Sequence, residues 1–177
     1  MSPFSIAGKR VVATGGARGI GASVCRALVQ ARANVAIFDV LDTVGEPLAT
    51  SLSQDGPGQA FYQSVDVSNR AAVFSAMDSA AVKLSGLDSV VNCAALERHV
   101  PIEELAEKDL TPILDVNVKG AFFLAQAAFP HLKAHGGVLL NFGSDGGLTR
   151  SPGISAYSAS KGAIHSLTRM LALEWGK

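Results

Sequence analysis

Tyr157 and Lys161 stand four residues apart, so on a helix they share one face. A phenol titrates near 10 in water and is a poor base at neutral pH. An ammonium beside it favours the phenolate, and a close charge pair in a partly dry site is worth several kcal/mol. The pair is therefore a candidate proton donor and acceptor, although Tyr-x-x-x-Lys by itself is common by chance. Ser144 lies thirteen residues before Tyr157, just past a short apolar run, and Asn117 sits within Asp115-Val116-Asn117-Val118-Lys119-Gly120.

A second cluster suits a different chemistry. Thr14-Gly15-Gly16-Ala17-Arg18-Gly19-Ile20-Gly21 separates a β-rich run from a helix-periodic one. Glycine permits a tight turn and close approach of backbone to a ligand. The start of the following helix offers unpaired N–H groups and partial positive charge, which suits a pyrophosphate. Alone, such a loop can equally be an ordinary turn. Asp39, 18 residues after Gly21, ends the second apolar run, where a carboxylate can accept hydrogen bonds from an adenosine ribose. Asp66 ends the third run, where it can meet the adenine edge. In this order the residues read as a dinucleotide site. A carboxylate at position 39 suits a ribose 2′-hydroxyl and repels a 2′-phosphate, so NAD is the expected cofactor, while Arg18 in the loop leaves NADP open.

The elements that must position these groups follow from hydrophobic periodicity. Strands are expected at 10–14, 34–39, 59–65, 87–92 and 138–142. Between them lie helical faces: Ile20, Val24, Ala27, Leu28 and Ala31; then Val44, Leu48 and Leu52, ending near Gly56-Pro57-Gly58; then Val73, Met77, Ala80 and Leu84, with Ser68 as a cap. A helix over 117–134 ends at Gly136-Gly137, and Ile164, Leu167, Leu171 and Trp175 mark the last one. Alternating strands and helices predict βαβ units and an α/β parallel sheet. The almost wholly apolar strands predict helices on both faces. No repeat or linker divides the chain, so 1–177 reads as a single domain.

Bulk composition narrows the function classes. Hydrophobic residues make up 48% of the 177, and 15 Lys+Arg balance 15 Asp+Glu. That is a globular, uncharged balance without the basic excess of a nucleic-acid or acidic-membrane binder. Two cysteines make no disulfide framework, so a reducing, cytoplasmic setting is expected. No run approaches a membrane span.

Taken together, these motifs resemble the short-chain dehydrogenase/reductase family. The matches are Thr14-Gly15…Gly19…Gly21, Asn92-Cys93-Ala94-Ala95 after the fourth strand, and the set Asn117, Ser144, Tyr157 and Lys161. Tyr157-Ser158-Ala159-Ser160-Lys161-Gly162-Ala163 is especially typical. The resemblance implies a Rossmann-type doubly wound sheet and an NAD(P)-dependent oxidoreductase that interconverts a secondary alcohol and a ketone. It implies that Tyr157 is the general acid/base, that Ser144 holds the substrate oxygen, and that Lys161 supports Tyr157 and the nicotinamide ribose. Asn117 would help to hold a water linked to Lys161. Gly15, Arg18, Gly19, Ile20, Gly21, Asp39, Asp66, Val67, Asn92, Ala94, Tyr157 and Lys161 are the expected cofactor contacts. Homo-oligomers, dimers or tetramers, are implied through the two long helices.

Some features depart from the pattern. Ala95 stands where the family has glycine, and Cys93 replaces a polar residue and is expected to be a small core side chain. The family usually runs longer, so the last strands and a substrate-covering segment are expected to be missing, the fifth strand to be a bare edge, and the 177-residue chain to be weakly folded or inactive. An inactive nucleotide-binding module that associates with full-length subunits is the alternative. Glu97, Arg98, His99, Thr149 and Arg150 are candidates for facing substrate. His131 and His135 could chelate a metal at i and i+4, but no third ligand is evident, so no metal site is expected. His165 is expected at the surface or an interface.

Overall fold

The computed structural model describes residues 5–134, 136–148 and 152–176. His135, Thr149 and Arg150 lie outside the described residues. In chain order the elements are β1 (Arg10–Thr14), α1 (Gly19–Gln30), β2 (Asn34–Asp39), α2 (Asp42–Asp55), β3 (Gln59–Ser64), α3 (Arg70–Lys83), β4 (Ser89–Asn92), α4 (Glu107–Leu114), α5 (Gly120–Lys133), β5 (Val138–Asn141) and α6 (Ser155–Trp175). The strands form one parallel sheet in the order β3-β2-β1-β4-β5. The chain thus winds outward from β1 to β3, then crosses back and winds outward through β4 and β5. Such a reversal opens a crevice beyond the strand C-termini, between β1 and β4. This is the expected α/β, Rossmann-type architecture.

Alternation of side chains along the strands splits the core in two. Val12, Ala36, Phe38 and Val90 face α3 and α5, against Val73, Met77, Leu124 and Ala128. Val11, Ala13, Val35, Ile37 and Val91 face α1 and α2, against Cys25, Val29, Leu48 and Leu52. Burial on both faces is why β1, β2 and β4 read as nearly unbroken apolar runs, whereas the edge strands β3 and β5 are only partly covered.

Several expectations shift. On α1 the buried residues are Gly21, Ala22, Cys25 and Val29, whereas Ile20 is 64% exposed and Ala27 and Ala31 are exposed. Both sets have helical spacing, and close approach of the helix to the sheet selects the one with the smaller residues. On α2, Val44 is exposed while Gly45 is buried, because the Tyr62 ring lies against it. Asn69, not Ser68, caps α3, its Oδ1 accepting from the Ala72 N–H at 3.1 Å. Ser68 is taken instead by Asp66, whose Oδ1 accepts from both its N–H and its hydroxyl. The helix expected over 117–134 is α5, and its first turn belongs to a π-helical turn at Asp115–Lys119 that joins it to α4. Strands β3 and β5 stop one residue early, and β4 begins at Ser89.

At the opposite end of the sheet, Asp88 joins β1 to the start of β4. Its Oδ2 accepts from the Arg10 Nε at 2.7 Å and from the Arg10 backbone N–H at 2.9 Å. The Arg10 guanidinium, by this hydrogen bonding, holds the Asp88 carboxyl down at about 2. A depressed carboxylate pKa contributes stability above the unfolded value near 4 that is lost as pH falls through the folded value. Asp88→Ala is therefore expected to lower the unfolding free energy by about 2 kcal/mol at pH 7. In urea titrations the difference from wild type should close as pH is lowered from 4 towards 2.

Among the described residues β5 pairs only with β4. Its Val138 and Leu140 are 56% and 47% exposed. No helix of the described residues is long and apolar enough to cross a membrane.

Candidate active site

The glycine loop turns between β1 and α1 because two of its residues need what only glycine supplies. Gly15 has φ +61°, and a Cβ there would stand 2.8 Å from the Ala94 backbone nitrogen and Cα. Gly21 packs so close that its Cβ would run into the Gly15 carbonyl oxygen. At Gly19 a Cβ would meet nothing within 4 Å, so that side of the loop is open. No side chain caps the start of α1, which leaves its first N–H groups for a ligand. This cradle fits a pyrophosphate.

A cleft of about 670 Å³ spreads from the loop across the ends of β1, β2 and β4. Of the expected cofactor contacts, Gly15, Arg18, Gly19, Ile20, Gly21, Asp39, Asp66, Val67 and Ala94 line it. The exposure of Ile20 is thus explained, since it forms part of the cleft wall. Ala95 also lines the cleft and is exposed, so its methyl meets no crowding from the fold. Tyr157 and Lys161 do not line it, and neither does Asn92. Its Oδ1 accepts from the Thr14 hydroxyl at 3.0 Å, and its amide donates to the Asn141 Oδ1 at 3.1 Å. The Thr14 hydroxyl accepts in turn from the Ala94 N–H at 3.3 Å. Asn92 therefore ties together the ends of β1, β4 and β5.

Tyr157 and Lys161 share a face of α6, and the Lys161 Nζ stands 5.6 Å from the Tyr157 ring centroid. Lys161 is 5% exposed, and its ammonium donates to the Phe142 carbonyl at 2.8 Å. Burial pushes its pKa below the ordinary lysine value, with Cys93 acting the other way. Ser144 and Tyr157 flank Gly146, where a Cβ would lie 3.2 Å from the Ser144 hydroxyl and 3.6 Å from the Tyr157 ring. The Ser144 hydroxyl accepts from the Gly146 N–H at 3.1 Å. A glycine at 146 keeps the space between the two hydroxyl-bearing residues open.

Asn117 sits in the π-helical turn and is buried. Its side chain clamps the segment after β4: Oδ1 accepts from the Leu96 N–H at 2.7 Å, and Nδ2 donates to the Leu96 carbonyl at 2.9 Å. Nδ2 also donates to the Ser160 hydroxyl, which donates to the Tyr157 carbonyl at 2.6 Å. A continuous hydrogen-bonded chain thus runs from the cleft wall to the tyrosine helix. A π-turn adds a residue to one turn and redirects side chains, as such turns often do at functional sites.

Asn141 is not a candidate on sequence, and Thr14 and Ser160 stand there only as members of motifs, with no role of their own. Ser160 stands three residues after Tyr157, a spacing at which a serine hydroxyl reaches back to a helical carbonyl, and that signal was available. The link between Thr14, Asn92 and Asn141 needs the strand order and had none. Glu97 and His99 are exposed and pair with each other at 2.7 Å. The loop that holds them is tied to the segment before α6 by the Val100 N–H, which donates to the Gly153 carbonyl at 2.7 Å. Cys93 is partly buried against the core, and burial pushes its thiol up to about 11. His131 pairs with Asp78 at 2.8 Å, and no cluster of three metal-ligating side chains occurs among the described residues. His165 packs over Gly143 and Gly147.

The family model for short chain dehydrogenases matches residues 9–177. The chain belongs to the short-chain dehydrogenase family. It is 38% identical over 168 residues to the 4-formylbenzenesulfonate dehydrogenase TsaC1/TsaC2 of Comamonas testosteroni, covering 94% of this chain and 66% of that protein. It is 34% identical to the D-threitol dehydrogenase of Mycolicibacterium smegmatis, covering 98% and 66%. The crystal structure of a dehydrogenase/reductase from Sinorhizobium meliloti 1021 superposes with a TM-score of 0.92 at 35% identity, covering 97% of this chain and 68% of that one. The short-chain dehydrogenase fold thus accounts for nearly the whole chain, which spans about two thirds of the length of the curated relatives it matches.

Proposed function

We propose that this short-chain dehydrogenase chain carries the cofactor site and the proton-transfer groups of an NAD-dependent oxidoreductase that interconverts a secondary alcohol and a ketone. The observation that carries this reading is the chain of hydrogen bonds through Leu96, Asn117 and Ser160, which joins the cleft lined by the glycine loop to the helix bearing Tyr157 and Lys161. A nicotinamide dinucleotide bound in the cleft supplies hydride transfer to or from the substrate carbon. Gly15, Gly19 and the start of α1 receive its phosphates, Asp39 its adenosine ribose, and Asp66 and Val67 its adenine. Ala94 walls the ribose side.

The protein groups divide the proton chemistry. Tyr157 donates its hydroxyl proton to a ketone oxygen, or accepts one from an alcohol. Ser144 donates to that oxygen and favours the charge that develops on it. Lys161 stands on the same face, held by Phe142, where its positive charge favours the phenolate. Burial opposes that charge, and Asn117, whose amide is engaged by Leu96 and Ser160, acts on Lys161 only through the position of the tyrosine helix.

Assembly and setting are part of the same reading. Phe122, Phe129, Met170 and Trp175 line an apolar groove between α5 and α6, which suits a second copy of the chain. Cys25 and Cys93 are both free, which suits a reducing cytoplasm. A second reading, a nucleotide-binding subunit without turnover that joins a longer chain, is favoured by the exposed Val138 and Leu140 on β5. Co-purification as a mixed mass with a longer subunit would support it.

Calorimetric titration with NADH and NADPH, beside a circular-dichroism check of folding, tests the main reading. Saturable binding at least about tenfold tighter for NADH is expected, a difference of about 1.4 kcal/mol. A folded chain that binds neither removes the cofactor assignment, and tighter NADPH binding reverses the preference.

A further inference from the structure

We infer that Asp39 is a positioning residue for the glycine loop, so that its removal weakens both nicotinamide dinucleotides instead of exchanging one for the other. The inference rests on reading the cleft as a dinucleotide site. It adds a task to the carboxylate beyond any contact with a ribose.

Both carboxylate oxygens already have backbone partners. Oδ2 accepts from the Ala17 N–H at 3.0 Å, across 22 residues of chain. Oδ1 accepts from the Val40 N–H at 2.8 Å and the Leu41 N–H at 3.2 Å, which fixes the rotamer. The residue's own carbonyl accepts from the Tyr62 hydroxyl at 2.7 Å. The carboxylate is thereby held from the turn into α2 and the Asp39 backbone from β3, and one carboxylate oxygen faces the loop.

The loop has little else to hold it at this point. The neighbouring tie, from the Gly16 N–H to the Phe38 carbonyl, is long at 3.4 Å. No side chain caps α1. Ala17 is 3% exposed, so without Asp39 its N–H would be left buried and unpaired, a costly state. The loop can relieve it only by moving, and the loop is the phosphate cradle. A carboxylate has about four acceptor positions, so three backbone donors leave room for a ribose hydroxyl. The two tasks are compatible, and they make opposite predictions when the side chain is removed. If Asp39 acts only by repelling a 2′-phosphate, Asp39→Ala binds NADPH more tightly. If it holds the loop, Asp39→Ala binds NADH and NADPH both more weakly.

The test has two readouts. In nucleotide-free protein, amide hydrogen exchange at Ala17 should be at least about tenfold faster in Asp39→Ala than in wild type, with exchange along β1 unchanged. In calorimetry, the variant should bind NADH and NADPH each about tenfold or more weakly, roughly the loss of one charge-assisted hydrogen bond. Unchanged exchange at Ala17, or NADPH bound more tightly by the variant than by wild type, overturns the inference. If wild type binds neither dinucleotide, the cofactor reading falls, and the Ala17 exchange still decides whether Asp39 holds the loop.

Discussion

Tyr157→Phe is expected to lower turnover of a secondary alcohol roughly 10²–10⁴-fold, the usual worth of a positioned acid/base, while NADH affinity stays within about twofold of wild type. The substitution deletes one oxygen and leaves the ring. The ring keeps its place on α6, 5.6 Å from the Lys161 ammonium. Lys161 is anchored independently, through the Phe142 carbonyl, and Ser160 holds the Tyr157 backbone carbonyl and not its hydroxyl. Nothing among these contacts needs the phenolic oxygen, so its loss should register in chemistry alone. Steady-state rates and calorimetry on the same preparation separate the outcomes. A variant that loses cofactor affinity together with rate would assign the tyrosine to binding.

Gly21→Ala is expected to weaken dinucleotide binding by at least about 100-fold, near 2.7 kcal/mol. The added methyl would run into the Gly15 carbonyl oxygen, and Gly15 itself lies so close to the Ala94 backbone that a Cβ on it would stand only 2.8 Å away. No flexible side chain lies there to yield, so α1 and the loop must part, and overpacking of this kind also costs about 1–3 kcal/mol of stability. Gly136→Ala provides the comparison: its φ is +70°, but a Cβ there meets nothing within 4 Å and the residue lies far along the chain from the loop. It should shift the melting temperature without changing the NADH dissociation constant. Unaltered affinity in Gly21→Ala would mean that the helix slides away from the loop at no cost to the site.

These effects also show what a sequence can carry. The parallel sheet was readable because burial on both faces makes Val11–Ala13 and Val35–Phe38 apolar without interruption. The positions of Tyr157 and Lys161 on one helix follow from spacing alone. The face of α1 is only partly legible: Val24 and Leu28 pack against the core as expected, but the cleft wall is also apolar. Ile20 belongs to the ligand's surroundings and not to the core, and hydropathy does not separate the two. The π-turn at Asp115–Lys119 was invisible because Val116 and Val118 suit an ordinary helix as well. Asn92 looked like a cofactor contact by position, yet its side chain is consumed by Thr14 and Asn141, an arrangement fixed by which strands lie side by side. Ser68 and Asn69 are both competent caps, and the choice between them is made by Asp66, which engages Ser68 first.

The strand order also sets a sequence of events in time. β1 meets β2 after a single intervening helix, but its other neighbour, β4, pairs with it across 78 residues. Closing the longer stretch costs about 1 kcal/mol more in chain entropy, and long-range pairings of this kind slow a search. The β1–β2–β3 half can assemble while β4 is still unplaced, but the crevice between β1 and β4 cannot. A probe in the cleft should therefore report refolding later than one on the β2–β3 side, which makes the ligand site among the last places in the sheet to acquire its shape.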